Sequence, residues 1–271
     1  MVLGGKRVFV VLPAYNAEKT LESVYRLLAK NTSLDEIILV DDASSDNTVG
    51  IARRLGMPVI VHERNLGYGG NQKTCYSEAL RLGADVIVML HPDLQYSPAL
   101  VLAMAAMIVS GEYDLVLASR ITGKSNAISA GMPFYKYIAN RLLTYFENAM
   151  LNLKMSEYHS GYRAFSKELL SRVPYLRNSN DFVFDNQIIA QARLYGFRIG
   201  EISCPTHYGK ESSSISCYRS LVYGLGVLRT ACEYRLRAWN ILFPAYLPRR
   251  LVPGEVEAAG NGKDGSPWMP G

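Results

Sequence analysis

Three short segments gather side chains suited to holding phosphates and a divalent ion: Pro13-Ala14-Tyr15-Asn16, Asp41-Asp42-Ala43-Ser44 and His91-Pro92-Asp93-Leu94-Gln95. The third is the sharpest. Mg²⁺ takes six oxygens, and a protein often supplies only one or two carboxylates while substrate phosphates and water complete the shell. The Asp93 carboxylate and the Gln95 amide oxygen stand two residues apart, on one side of an extended segment, and meet that minimum. His91 has the same spacing, but imidazole suits Mn²⁺ and softer ions better than Mg²⁺ or Ca²⁺. One carboxylate therefore suffices for such a site, with weaker metal affinity while no diphosphate is bound.

Each segment follows a short aliphatic run, and these runs alternate with helical periods, the pattern of an open α/β sheet. Strands are predicted at 7–12, 36–40, 59–61, 86–90, 115–118 and 197–204, with a short one at 161–165. Helices are predicted at 17–30, 48–55, 71–82, 98–109, 134–151 and 182–195, the second capped by Asp46 or Asn47. Polar residues at strand ends are where such sheets bind ligands. A dinucleotide-binding unit would place G-x-G-x-x-G after the first strand, and PAYNAE has no glycine.

Composition sets the outer limits. The 271 residues are 49% apolar with a net charge of +5, enough chain for a large α/β domain and a mild bias toward anionic ligands or a lipid surface. No Lys/Arg block suggests nucleic acid. Cys75, Cys204, Cys217 and Cys232 lack metal or disulfide spacing, so reduced thiols and a cytoplasmic location are expected. The N-terminus lacks the pattern of a signal peptide. The longest apolar run, 99–109, falls short of the roughly 20 residues a membrane span needs.

The segments VLPAYNAEKTL (11–21), ILVDDASSDNT (38–48), NLGYGGNQ (65–72), HPDLQYSP (91–98) and SGYRAF (160–165) occur in one order. That set resembles family 2 of the glycosyltransferases, with the GT-A fold, over about residues 7–215. Within the family, the likeness is to the dolichol-phosphate mannose synthase branch, which glycosylates polyprenyl phosphates. The resemblance implies a mostly parallel open sheet flanked by helices. It also implies Asp93 and Gln95 as metal ligands for Mg²⁺ or Mn²⁺, Asp41 and Asp42 as holders of base and ribose, and Pro13, Tyr15 and Glu18 as lining of the nucleotide pocket. His91 stands where the branch has its first aspartate; it either ligates the ion, hydrogen-bonds the sugar or orders a ligand water. Glu157 replaces an aspartate three residues before the Ser-Gly pair and is one methylene longer.

Carboxylates at strand ends are fitting acceptors for a ribose diol and a base N–H. Gly67, Gly69 and Gly70 would let backbone approach a nucleotide, or open a helix after a tight turn. A departing diphosphate calls for fixed cations, for which Arg120, Arg163 and Lys210 are the candidates. Arg163 has the alternative of an ion pair with Glu157 or Asp185. Transfer to a hydroxyl needs a general base, whereas a phosphate acceptor is already anionic. Asp185 is therefore either that base or a group orienting a cation or the sugar.

The expected activity is inverting, metal-dependent transfer of a hexose to a polyprenyl phosphate, from GDP-mannose first and UDP-glucose second. A glycan hydroxyl acceptor and a non-catalytic nucleotide-sugar-binding scaffold are the alternatives; a sugar nucleotidyltransferase would need a Gly-rich basic loop that PAYNAEKT does not supply. The chain divides into a catalytic domain at 1–216, an amphipathic helical extension at 217–252 and a disordered tail at 253–271. In the extension, Leu225, Leu228, Cys232, Leu236 and Trp239 form one stripe flanked by Arg229 and Arg235. It would lie in a membrane interface, making the protein peripheral at the cytoplasmic face, or else pack on the domain.

Overall fold

The computed structural model describes residues 3–122, 131–205 and 217–249. Seven strands form one sheet: β1 (Val8–Ala14), β2 (Glu36–Asp41), β3 (Val59–Val61), β4 (Val86–Met89), β5 (Leu115–Ser119), β6 (Arg163–Ser166) and β7 (Ile199–Ser203). Their order is β3-β2-β1-β4-β6-β5-β7. All neighbours are parallel except β6, which runs antiparallel to both β4 and β5.

Helices α1 (Leu21–Leu28), α2 (Thr48–Arg54) and α4 (Val101–Val109) cover one face. On the other lie α3 (Tyr68–Arg81), α5 (Phe134–Leu151), α6 (Lys167–Arg172), α7 (Phe184–Leu194) and α8 (Cys217–Ala238). Both faces are covered, so the central strands are apolar at every position rather than alternating. Val8, Val10 and Leu12 enter one core, Phe9 and Val11 the other.

Several boundaries shift by a few residues from the sequence reading, and two of them bear on the site. Helix α1 begins at Leu21 rather than Ala17, because the Ala17 and Glu18 N–H groups are drawn to Thr48 Oγ1 and an Asp46 carboxylate oxygen, 2.8 and 3.0 Å away. Helix α3 begins at Tyr68, so its first turn contains the Gly-Gly pair. Asn47 occupies the N-cap position of α2 with no side-chain hydrogen bond there, and Asp46 Oδ1 just before it accepts from Thr48 N at 3.0 Å.

Helix α8 packs on α5 and α7 through Val227, Ala231 and Tyr234, all buried. The stripe predicted from its sequence lies beside that face: Leu225 and Trp239 are exposed by 60% and 62%. The tail after 249, Lys210 and the polar loops at 123–130 and 206–216 lie outside the described residues.

Candidate active site

The sheet places the site. The C-terminal ends of β1, β2 and β4 share one edge, and antiparallel β6 brings the residues that precede it to the same edge. A cleft of about 1280 Å³ opens there, lined among others by Pro13, Tyr15, Asp42, Gly67, His91, Asp93, Gln95 and Asp185. Ordinary small-molecule pockets hold about 300–1,000 Å³, so this cleft has room for a donor and part of an acceptor together.

The strand-end loops are tied to each other. Asn16 N donates to Ser44 Oγ at 2.8 Å, and Ser45 N to Asn16 Oδ1 at 2.9 Å. Glu18, expected in the nucleotide pocket, faces away from the cleft: its carboxylate accepts from Asn47 N at 3.0 Å. The Asp41-Asp42 pair is split. Asp41 is fully buried outside the cleft, with Oδ2 accepting from Ser44 N at 2.9 Å. Asp42 lines the cleft and accepts from Leu66 N, Gly67 N and His62 Nδ1 at 2.8, 3.0 and 2.8 Å.

Gly69 and Gly70 serve packing rather than ligand approach. Their N–H groups go to the Asn180 carbonyl at 2.8 and 3.3 Å. A Cβ at Gly69 would meet Ser179 O at 2.4 Å. Gly67, at φ +85°, does line the cleft.

The predicted diphosphate-binding arginines are committed elsewhere. Arg163 is fully buried, donating to Ser160 O, Asp185 O and Tyr158 O at 2.9, 2.6 and 2.9 Å, with Asp185 Oδ1 at 3.5 Å. A buried cation needs such partners, and it does not reach the cleft. Arg120 also lies off the cleft and clasps Glu157, donating through its backbone N and Nε at 2.8 Å each and through Nη2. Burial would raise the Glu157 carboxyl, but the charge and hydrogen bonds of Arg120 hold it below its ordinary value. Among the described residues, the lysine and arginine that line the cleft are Lys19 and Arg219, the latter in the first turn of α8.

Asp185 is nearly buried at the cleft floor. Its Oδ2 accepts from Tyr68 Oη at 2.7 Å and its Oδ1 from Gln72 Nε2 at 3.2 Å. Tyr68 Oη also lies 3.2 Å from His91 Nε2, and the two rings stack with centroids 5.4 Å apart. Burial, then the Asp185 charge, pushes the Tyr68 hydroxyl well up, so it keeps its proton. Tyr68 sits between two glycines that drew attention for themselves, which is why its role was missed.

A second buried group lies beside it. His159 lines the cleft; its Nδ1 is 2.9 Å from Tyr223 Oη, which donates to Asn186 Oδ1 at 2.9 Å. Because that hydroxyl proton is spent, His159 Nδ1 is the donor and Nε2 the acceptor. Nε2 faces Glu147 Oε2 at 3.4 Å. Both atoms are buried without a hydrogen-bond partner among the described residues, and burial pushes the Glu147 carboxyl up to about 8 and His159 down to about 4, so near neutral pH the carboxyl is protonated and the ring neutral. Nothing in the sequence around 147, 159 or 223 signalled this arrangement, because it joins three distant segments.

The donor set for a cation is one carboxylate, one amide oxygen and one imidazole: Asp93, Gln95 and His91, all lining the cleft. Asp93 Oδ1 accepts from Gln95 N at 3.0 Å, and Leu94 between them is left-handed at φ +58°. Among the described residues, no group of three or more His, Cys, Asp or Glu stands ready to hold an ion unaided. The set fits Mg²⁺ or Mn²⁺ when a diphosphate adds its own oxygens.

The family model described as Glycosyl transferase family 2 matches residues 9–173. A UDP-N-acetylglucosamine–dolichyl-phosphate N-acetylglucosaminyltransferase of Methanococcus voltae is 29% identical over 227 residues, covering 78% of this chain and 89% of that one. An uncharacterized protein of Methanocaldococcus jannaschii is 30% identical over 207 residues, covering 76% and 84%. Among solved structures, glucosyl-3-phosphoglycerate synthase from Mycobacterium tuberculosis, in complex with Mn²⁺, uridine diphosphate and phosphoglyceric acid, superposes with a TM-score of 0.65 at 20% identity. That match covers 85% of this chain and 79% of that one.

Proposed function

Because the chain belongs to glycosyl transferase family 2 and is a glycosyltransferase of the GT-A fold, we propose that it transfers a hexose or N-acetylhexosamine from a nucleoside diphosphate sugar to a polyprenyl phosphate. The observation that carries the acceptor class is Asp185. Both of its oxygens accept hydrogen bonds, and Arg163 lies against it. A carboxylate so engaged is a poor general base, and an anionic phosphate needs none. The lipid-phosphate substrate in the name of the Methanococcus relative supports the same reading. That relative's donor also puts UDP-N-acetylglucosamine at the head of the candidates, ahead of GDP-mannose and UDP-glucose.

In this mechanism Asp42 and the Gly67 turn shape the nucleotide end of the cleft, with Pro13 and Tyr15 as its walls. Asp93 and Gln95 would hold Mg²⁺ or Mn²⁺, which supplies positive charge to the departing diphosphate. Lys19 and Arg219 add fixed charge at the cleft wall. The acceptor phosphate then attacks the sugar carbon from the opposite side, inverting it.

The outward side chains of α5 and α8 support a peripheral lipid contact for the acceptor's tail: Phe134, Ile138, Leu142, Leu221 and Leu225 are all exposed. Among the described residues, no helix is long and apolar enough to cross a membrane.

The test is a screen of the three donors against polyprenyl phosphate and free sugar hydroxyls, with Mg²⁺ and Mn²⁺. Transfer to the phosphate is expected, and Asp93→Ala should lose about two to three orders of magnitude in kcat. Transfer to hydroxyls alone would overturn the acceptor assignment, and near-normal turnover in Asp93→Ala the metal assignment.

A further inference from the structure

Tyr68 has one hydroxyl proton and two polar neighbours. The Asp185 carboxylate oxygen at 2.7 Å can only accept, so the proton goes there. The 3.2 Å contact to His91 Nε2 is then satisfied only if that nitrogen carries the hydrogen and donates to the tyrosine oxygen. In the neutral ring this leaves the lone pair on Nδ1. The arrangement is held from three sides. Arg163 lies against Asp185, the Tyr68 ring stacks on His91 and packs against Phe182 at 4.8 Å, and Gly161 makes room for both. A Cβ at Gly161 would come within 2.6 Å of His91 Nε2 and 2.8 Å of Tyr68 Oη. The glycine of the SGYRAF motif is thus required by the tyrosine–histidine contact.

From this geometry we infer that Tyr68, backed by Asp185, is a positioning residue that fixes the tautomer of His91, and that His91 through Nδ1 tilts the metal preference of the site from Mg²⁺ toward Mn²⁺. The inference rests on the proposed metal role of Asp93. A carboxylate that orients a histidine through its second nitrogen is a recurring way to sharpen a metal ligand; here a tyrosine relays it. Nitrogen at one coordination position penalises Mg²⁺, a hard oxygen-seeking ion, more than Mn²⁺.

Two measurements test it. Only four histidines occur in the chain, so ¹⁵N-histidine labelling with long-range ¹H–¹⁵N correlation, assigned by His91→Asn, reads the tautomer directly without metal. A protonated Nε2 and bare Nδ1 are expected for His91, shifting to a mixture in Tyr68→Phe. Calorimetric titration of Mn²⁺ and of Mg²⁺ into protein saturated with UDP, and separately with GDP, reads selectivity. Tyr68→Phe should weaken Mn²⁺ binding on the order of tenfold, and His91→Asp should shift the Mn²⁺-to-Mg²⁺ affinity ratio toward Mg²⁺ by a similar factor. Comparing ratios between variants cancels the diphosphate's own preference. A protonated Nδ1 in the native protein, or an unchanged ratio in His91→Asp while Asp93→Ala abolishes binding, overturns this inference and leaves the proposed function standing. Undiminished Mn²⁺ binding in Asp93→Ala overturns both.

Discussion

At the scale of single residues, Glu147 and His159 tie stability to pH. The Glu147 carboxyl keeps its proton up to about pH 8 in the fold, against an ordinary value of 4.5, because burial disfavours its charge. Between those values the folded chain holds a proton the unfolded one releases, so stability falls as pH rises. His159 works in the opposite sense between about 4 and its ordinary 6.5, where the unfolded chain takes up the proton. The two offset each other in mild acid, and above 6.5 Glu147 acts alone. Thermal unfolding should therefore show a midpoint that declines from pH 6.5 to 8. In Glu147→Gln, whose amide oxygen can still accept from Asn186, that slope should vanish. Parallel slopes in the two proteins would mean Glu147 is ionised in the fold.

At the scale of elements, the first turn of α3 packs tightly against the 179–180 segment beside the cleft. Gly69→Ala would press a methyl group onto Ser179 O at 2.4 Å and Phe184 Cβ at 2.8 Å. Backbone on one side and a buried ring on the other leave little room to yield. A loss of about 1–3 kcal/mol is expected, read from the urea midpoint; an unshifted midpoint would mean that the segment moves freely. This junction also marks where the sequence stops being readable. Strands β1, β2 and β4 and the polar residues at their ends are legible because an apolar run followed by Pro, Asp or His breaks the pattern locally. The Gly-Tyr-Gly-Gly run is not, since the reason for its glycines lies more than a hundred residues away. Arg120 looks available in its motif until Glu157 comes round from another segment to meet it, whereas Arg163 meets Asp185, one of the two ion-pair partners that the sequence offered as an alternative. For α8, periodicity gives an apolar stripe but not which side turns inward. Tyr223 and Arg219 therefore reach the cleft with no warning from their neighbours.

At the scale of the whole molecule, α5 and α8 are neighbours and leave apolar side chains outward, Leu142 exposed by 66% and Leu225 by 60%. If that side meets lipid, the native protein should co-sediment with vesicles containing anionic lipid. The Leu142→Asp/Leu225→Asp double variant should lose more than about tenfold in partitioning, since each buried leucine contributes roughly 1.5–3 kcal/mol. Equal sedimentation of the two would end the lipid-facing reading.

The sheet order adds something about how the molecule is made. Strand β4 is flanked by β1, already synthesised, and by β6, which arrives some eighty residues later. Until Ser166 leaves the ribosome, Val86–Met89 has an open, wholly apolar margin, the kind that recruits stray strands from other chains. A chain halted anywhere in that interval would carry the residues of its nucleotide end beside a sticky seam. Completion of the acceptor side is what closes it.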